Sequence, residues 1–430
     1  MWTALLLAAA AVPCAPGVDK NLLKAMERLL EEGDARQALA LLESGDLRDG
    51  LADDSEALHS LCHLASNRSG LLARKREDGP KLAALLEQAA EACAGSHSGE
   101  ANAFLALGYA RLASARVGRL VGAKDATPDR WEKAADALEK AYELEPGNGD
   151  KLAGSVQVLS EAAGIPGADA AALLSRAAAV SGKAVEKHPG SVPVVSAASF
   201  LDLARARRAL EGKDKGGAQA LLDQGLARLA PMMKANRPDL DLATAHNEIV
   251  AFLRSHPREL KAGKADFVTE ERAVGPPLKV QVPLSRFWSQ DGDRVQQFSS
   301  SYENLRTFYF DSYSWDTNWR LADGTRVGGD NIKGLATNYY EISLRDMRKV
   351  QSKKPPVKRR MNGALDEGFL YEVVGEDGDG DFYFERTWFF KSKAGNMTTF
   401  RVSCYEHAEG AVLDVTGQAF LDGIREVSRK

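Results

Sequence analysis

From residue 21 to residue 255, apolar side chains recur three and four positions apart, and the runs are interrupted by Gly, Asp and Pro. This is the spacing of amphipathic helices. In "EEGDARQALALLESGD", Gly33 marks a turn, and Ala38 and Leu42 fall on one face of the helix that follows. Beyond residue 278 the period shortens to two. "LKVQVPL" alternates from Leu278 to Leu284 as a half-buried strand does, and "LRTFYFDSY" (305–313) predicts a second strand. Residues 328–350 predict a helix with Asp330 or Asn331 as its cap. "GFLYEVVG", "DFYFERTWFFK" and "MTTFRVSCYE" follow as three strands at hairpin spacing. The end, "DVTGQAFLDGIREVSRK", predicts an amphipathic helix capped by Asp414, with Phe420, Ile424 and Val427 facing inward.

Composition divides the chain at the same place. Of 31 aromatic residues, seven lie in residues 1–262 and 23 in residues 278–430, while alanine shows the opposite bias. Ala-rich, aromatic-poor sequence suits closely packed helices, and aromatic, β-branched sequence suits sheets. The expected class is therefore a multidomain chain: an all-α array of helical hairpins over residues 18–262, a linker at 263–277, and an α+β domain with an antiparallel sheet at 278–430. A net charge of −4 with 27% charged residues selects neither a nucleic acid nor a membrane as partner in bulk.

Residues 1–17, "MWTALLLAAAAVPCAPG", carry the apolar run of a signal-peptide core, with small residues at Ala15-Pro16-Gly17, although no Lys or Arg precedes the run. The run is short for a membrane span, and the other reading is a buried N-terminal helix. Export to a periplasmic or extracellular, envelope-associated location is the expectation, with no transmembrane span in the mature chain. Cys14 would leave with the leader. The remaining Cys62, Cys93 and Cys404 are odd in number and do not make a disulfide scaffold.

Within the helical part, "WEKAADALEKAYELEPGN" sets Ala134, Leu138, Ala141 and Pro146 at offsets 0, +4, +7 and +12. Small residues let two helices approach, a leucine fills the space between them, and a proline stops the second. The spacing recurs at Ala177, Ala184 and Pro189, and more loosely at Ala218, Leu222 and Gly225, and Leu107-Gly108 suits a first helix. These residues resemble the tetratricopeptide repeat family in degenerate form. The resemblance implies a curved superhelix that binds a peptide or protein on the face lined by the first helix of each hairpin. It would put Asn102, Leu105, Tyr109, Asp150 and Gln157 on that face. Solvated or packing positions are the plain alternative. The C-terminal order of strands, helix, meander and terminal helix resembles the photosystem II extrinsic protein PsbP and its relatives. The segments that carry the likeness are "KRRMNGALDEGFLYEVV", "RTWFFKSKAGNMTTFRVSCY" and the end of the chain. That resemblance implies a binding or assembly module and transfers no catalytic residue.

Candidate chemistry is sparse. His59, Cys62 and His63, with Cys93 and His97, have spacings that could hold zinc if their helices met. A Cys62–Cys93 disulfide or ordinary packing are the alternatives. Asp377, Asp379 and Asp381 alternate as calcium ligands do. Counted from Asp377, however, the sixth position is Phe382 and the twelfth Trp388, so the segment reads as a hairpin turn. Residues 345–360 hold eight basic residues and one acid, and read as a solvated loop or, through Lys358, Arg359 and Arg360, as a contact for anionic lipid or a polyanion. Phosphate-loop, nucleophile-elbow, zinc-protease and dinucleotide motifs are missing, which lowers the expectation of an enzyme. The sequence thus points to a scaffold that binds a protein or peptide, with no cofactor, metal or specific nucleic acid. The alternatives are an anion-binding protein and a C-terminal hydrolase.

Overall fold

The computed structural model describes residues 19–44, 46–73, 75–123, 126–234, 239–273, 278–284, 288–291, 295–300, 307–313, 332–360, 365–378, 382–392, 397–404, 410–423 and 425–426. A helical part is followed by an α+β part with antiparallel sheets, and the chain divides into two compact units, Met1–Gly147 and Asn148–Lys430.

The first unit contains α1 (Lys20–Glu32), α2 (Ala35–Glu43), α3 (Asp46–Ala52), α4 (Ser55–Asn67), α5 (Ser69–Ala73), α6 (Asp78–Ser96), α7 (Ala101–Leu120) and α8 (Pro128–Leu144). Its helix boundaries follow local chemistry. Gly33 ends α1 at φ +72°, a conformation that costs a residue with a Cβ. Asp34 and Asp54 then accept from the backbone N–H groups of Gln37 (3.1 Å) and Ala57 (3.0 Å), satisfying donors that a helix start leaves open. Pro128 begins α8, where its missing N–H costs nothing.

The repeat-like spacing acts where α7 meets α8. Ala134, Leu138 and Ala141 are fully buried. A Cβ on Gly108 would come within 2.7 Å of Leu138 Cδ2 and 3.2 Å of the Ala134 carbonyl oxygen. Moving along α7, Arg111 donates to the Lys133 carbonyl at 3.3 Å, and Arg130 donates to Ser114 at 3.0 Å. Later positions on α7 thus meet earlier ones on α8, so the two helices are antiparallel. Gly108→Val is expected to lower the stability of this unit by about 2 kcal/mol through overpacking. In a Leu138→Ala background the same change should cost less, and a double-mutant cycle on urea midpoints reads the difference.

The second unit opens with α9 (Asp150–Ala162), α10 (Ala170–Lys187), α11 (Val192–Glu211), α12 (Lys215–Leu229) and α13 (Leu240–Ser255). Consecutive helices pack together, and α9 and α13 each also touch α11. Ala177, Ala184, Ala218 and Leu222, the recurring small and leucine positions, are all buried. The α+β part follows as β1 (Thr269–Ala273), β2 (Leu278–Pro283), β3 (Trp288–Asp291), β4 (Val295–Ser300), β5 (Thr307–Tyr313), α14 (Ile332–Arg345), β6 (Lys349–Arg360), β7 (Leu365–Glu376), β8 (Phe382–Ser392), β9 (Met397–Cys404), α15 (Gly410–Asp422) and β10 (Arg425–Glu426). One sheet has the order β1-β2-β10 and the other β3-β4-β5-β9-β8-β7-β6; every described pairing is antiparallel. On β6–β8, Ile332, Leu335, Ala336 and Tyr340 of α14 pack over Tyr371, Val373 and Phe389.

Several expectations shift. Helix α14 ends at Arg345, not at Val350, and the basic run is a strand, not a loop. The apolar stripe of α14 stops near Leu344, and backbone pairing with β7 takes over from Lys349. Asp414 lies inside α15 and does not cap it. The helix stops at Asp422, where Gly423 passes so close to β2 that a Cβ would lie 2.7 Å from Gln281 Cβ. The chain then pairs as β10 with β2 in place of a longer helix. Residues 263–277, read as a linker, include β1. Glu376 pairs with Phe382, so β7 and β8 are paired antiparallel up to the acidic segment. Asp379 and Asp381, the caps Asp330 and Asn331, Ile424, Val427 and the leader at 1–17 lie outside the described residues. No described helix is long and apolar enough to cross a membrane.

Candidate functional site

The partner-binding positions expected from sequence fall on two helices in separate units: Asn102, Leu105 and Tyr109 on α7, and Asp150 and Gln157 on α9. Leu105 is only 7% exposed and belongs to the packing. Asp150 is exposed and accepts from Ser191 Oγ at 3.2 Å, near the start of α11, and Gln157 is half-buried. Asn102 and Tyr109, seven residues apart and so on one side of α7, are both half-buried.

Tyr109 is the centre of a cluster that the repeat spacing alone does not reveal. Its ring lies 5.7 Å from His59 and 4.7 Å edge-on from His63, and the two imidazoles are 6.2 Å apart. The histidines are four residues apart on α4 and therefore share a face. Asn67 extends that face, with its side-chain nitrogen 3.3 Å from His63 Nε2. About two turns beyond Tyr109 on α7, the buried Arg116 donates to the carbonyl of Ser66 on α4 at 2.9 Å. Contacts therefore advance together along both helices, and α4 and α7 run side by side in the same direction. Desolvation, and then the Arg116 guanidinium, hold His63 below the usual imidazole value of 6.5. Its ring is held toward the neutral form, beside the Tyr109 ring and the Asn67 amide.

The cysteines of α4 and α6 lie elsewhere. Cys62 and Cys93 are free thiols in the core of the first unit. Burial raises both, Cys93 to about 11, so neither is a reactive thiolate at neutral pH. Among the described residues, no three His, Cys, Asp or Glu side chains are grouped to hold a metal ion. His97 instead contacts Glu100 at 3.0 Å, and Ser55 donates to the same carboxylate at 2.7 Å. Serine, histidine and acid meet here, but the serine proton goes to the carboxylate and not to the imidazole, which is not the order that activates a nucleophile.

In the second unit, Glu385 of β8 is 3% exposed beneath α14. Its Oε1 accepts from Tyr371 (2.5 Å), Thr387 (3.0 Å) and Ser343 (3.1 Å), and its Oε2 accepts from Tyr383 (2.9 Å). Burial and then Glu385 push both tyrosines above the usual value of 10.0. A carboxylate that holds four donors from β7, β8 and α14 ties α14 to the sheet. Lys358 and Arg359 are exposed on β6, and Arg360 stands opposite Glu367.

The chain matches no protein-family model, and no curated protein matches it.

Proposed function

We propose that this protein is a non-enzymatic scaffold of the cell envelope, exported by its apolar leader, that binds a protein or peptide partner on the helical part. In this reading the helices are degenerate tetratricopeptide-like hairpins, and the C-terminal domain is a PsbP-like docking module. The observation that carries the proposal is the partly open strip of His59, His63, Tyr109 and Asn102 on two helices that run side by side in the same direction. Successive first helices of a hairpin array line its inner surface in this way. Aromatic and imidazole rings offer large contact area at low entropic cost, and the Asn67 and Asn102 amides can pair with a partner's backbone. The first contact would be burial of an apolar partner side chain against Tyr109, with the amides setting register.

The test is photo-cross-linking with the full chain from native envelope extract, with the photoreactive group at exposed His63 and, as a comparison, at exposed Lys358. One protein captured at position 63 and competed by unlabelled chain is the expected result. His59→Ala with Asn102→Ala should weaken that capture about ten-fold, a typical loss when anchor residues are truncated, with far-UV circular dichroism unchanged. Equal capture by wild type and the double variant, or a competable partner at position 358 alone, would overturn the assignment to this face.

A further inference from the structure

The edge strand β6 carries a second, unrelated chemistry. Its twelve residues, "KVQSKKPPVKRR", include six basic side chains and no acid. Among the described residues it pairs only with β7, so one long side is open. Residues 349–355 and 357–359 are all exposed. The register puts Lys353 opposite Val373 and Lys354 opposite Glu372, so cations stand on both faces of the strand. Glu372 is already engaged: Lys354 meets it at 2.7 Å, and Arg386 holds its other oxygen. It therefore adds little negative charge toward solvent.

Positive charge alone would suit any polyanion. The apolar residues narrow the choice. Val350 and Val357 are 40% and 42% exposed, two of the three large hydrophobic side chains that stand open among the described residues. Pro355 and Pro356 lie between Lys354 and Val357. Strand addition by a peptide is disfavoured here, because two prolines lack N–H groups and the ladder is irregular at Val350/Ser352 and Lys354/Val357. Base stacking is disfavoured too, since the strand has no aromatic residue. Exposed Val350, Val357 and Pro355 set among lysines and arginines match an interface that is anionic at its surface and apolar just beneath.

We infer that β6 is a membrane-surface contact that recognises anionic phospholipid headgroups, with Lys353, Lys358 and Arg359 meeting phosphates and Val350 and Val357 entering the headgroup boundary. It would hold the scaffold at a bilayer independently of its protein partner.

The experiment is co-sedimentation of the full chain with vesicles of phosphatidylcholine alone and of an equimolar mixture with phosphatidylglycerol. The apolar leader is common to every variant, so differences between variants in the binding that requires phosphatidylglycerol read β6. The expected result is phosphatidylglycerol-dependent binding that falls with added salt. Lys353→Gln, Lys358→Gln and Arg359→Gln together should weaken it on the order of a hundred-fold. Val350→Ser with Val357→Ser should weaken it several-fold while leaving the salt dependence unchanged. All five positions are exposed, and an unchanged thermal melt checks that each variant folds. Absence of phosphatidylglycerol-dependent binding, or its survival in the triple variant, overturns the proposal. So does heparin binding as tight as vesicle binding together with insensitivity to the valine changes, which would make β6 a surface for soluble polyanions.

Discussion

Glu385→Ala is expected to lower the stability of the second unit by about 4 kcal/mol, the largest effect among the changes considered, because it strands four buried or half-buried hydroxyls at once. Tyr371, Thr387, Ser343 and Tyr383 all donate to this carboxylate, and they come from β7, β8 and α14. Each hydroxyl left without an acceptor costs about 1–3 kcal/mol, less what local rearrangement recovers. Glu385→Gln keeps one carbonyl acceptor and the shape, and should cost about half as much. Tyr371→Phe removes a single donor and leaves Oε1 with Ser343 and Thr387, so about 1 kcal/mol is expected. Urea unfolding followed by amide exchange on residues 365–392 ranks the three. Equal losses for Glu385→Ala and Tyr371→Phe would show that the carboxylate does not organise the cluster. The same ranking bears on function. If Glu385→Gln left stability intact while abolishing a hydrolytic activity, the buried acid would be chemical and not architectural.

Asn247→Ala is the second large effect, expected at about 3 kcal/mol. Asn247 lies on α13, is 4% exposed, and completes the end of the first hairpin from outside it. Its Nδ2 donates to the carbonyls of Val268 and Leu284, both at 2.8 Å, and its Oδ1 accepts from the Val268 N–H at 2.7 Å. Val268 and Leu284 are themselves joined by a backbone hydrogen bond of 2.9 Å, so the amide extends the β1–β2 ladder by one rung. Truncation leaves the half-buried Val268 N–H and Leu284 carbonyl without this partner, at about 1–3 kcal/mol each. Asn247→Asp makes the sharper test. A carboxylate there faces two carbonyl oxygens, so its folded pKa is raised above the unfolded value of about 3.9. A raised carboxyl pKa contributes stability that is present below the unfolded value and lost as pH rises through the folded one. Thermal melts of this variant should therefore improve on acidification relative to wild type. A pH-independent difference would mean that the side chain has rotated away from the carbonyls.

These two side chains also show why one compact unit holds both helices and sheets. Asn247 ties the last helix of the helical part to the first strand pair, and α15 packs on α13 as well as on β2 and β9. The composition changes near residues 263–277 because the secondary structure changes there. Compactness follows contacts instead, and the contacts divide at Gly147. Strand propensity and aromatic content are local quantities and carry no information about which distant backbone groups an asparagine will satisfy.

Much of the architecture was legible along the chain. Helical spacing with Asp at the helix starts, Gly33 at a turn, and the small residues Ala134, Ala141 and Gly108 around Leu138 each state a local requirement that folding must meet. The antiparallel pairing of β7 and β8 could be read because an EF-hand needs a glycine and a glutamate where Phe382 and Trp388 stand. What could not be read depended on facing surfaces. Alternation along β8 separates Tyr383, Glu385, Thr387 and Phe389 from Phe384, Arg386, Trp388 and Phe390, but each set mixes charge with aromatic rings, so the pattern does not say which acid is buried. The run at 349–360 has the composition of a loop and becomes a strand because β7 supplies hydrogen-bond partners that no local propensity encodes. His59 and His63 have the spacing of a metal-binding pair, yet it was the packing of α7 on α4 that set Tyr109 between them. The sequence by itself determined the helical spacing of the N-terminal part and the strands that became β2, β5, β7, β8 and β9, since period and capping act within a few residues. Only the tertiary structure decided the ring strip, the buried Glu385 and the open basic edge, because each depends on which elements meet across the fold.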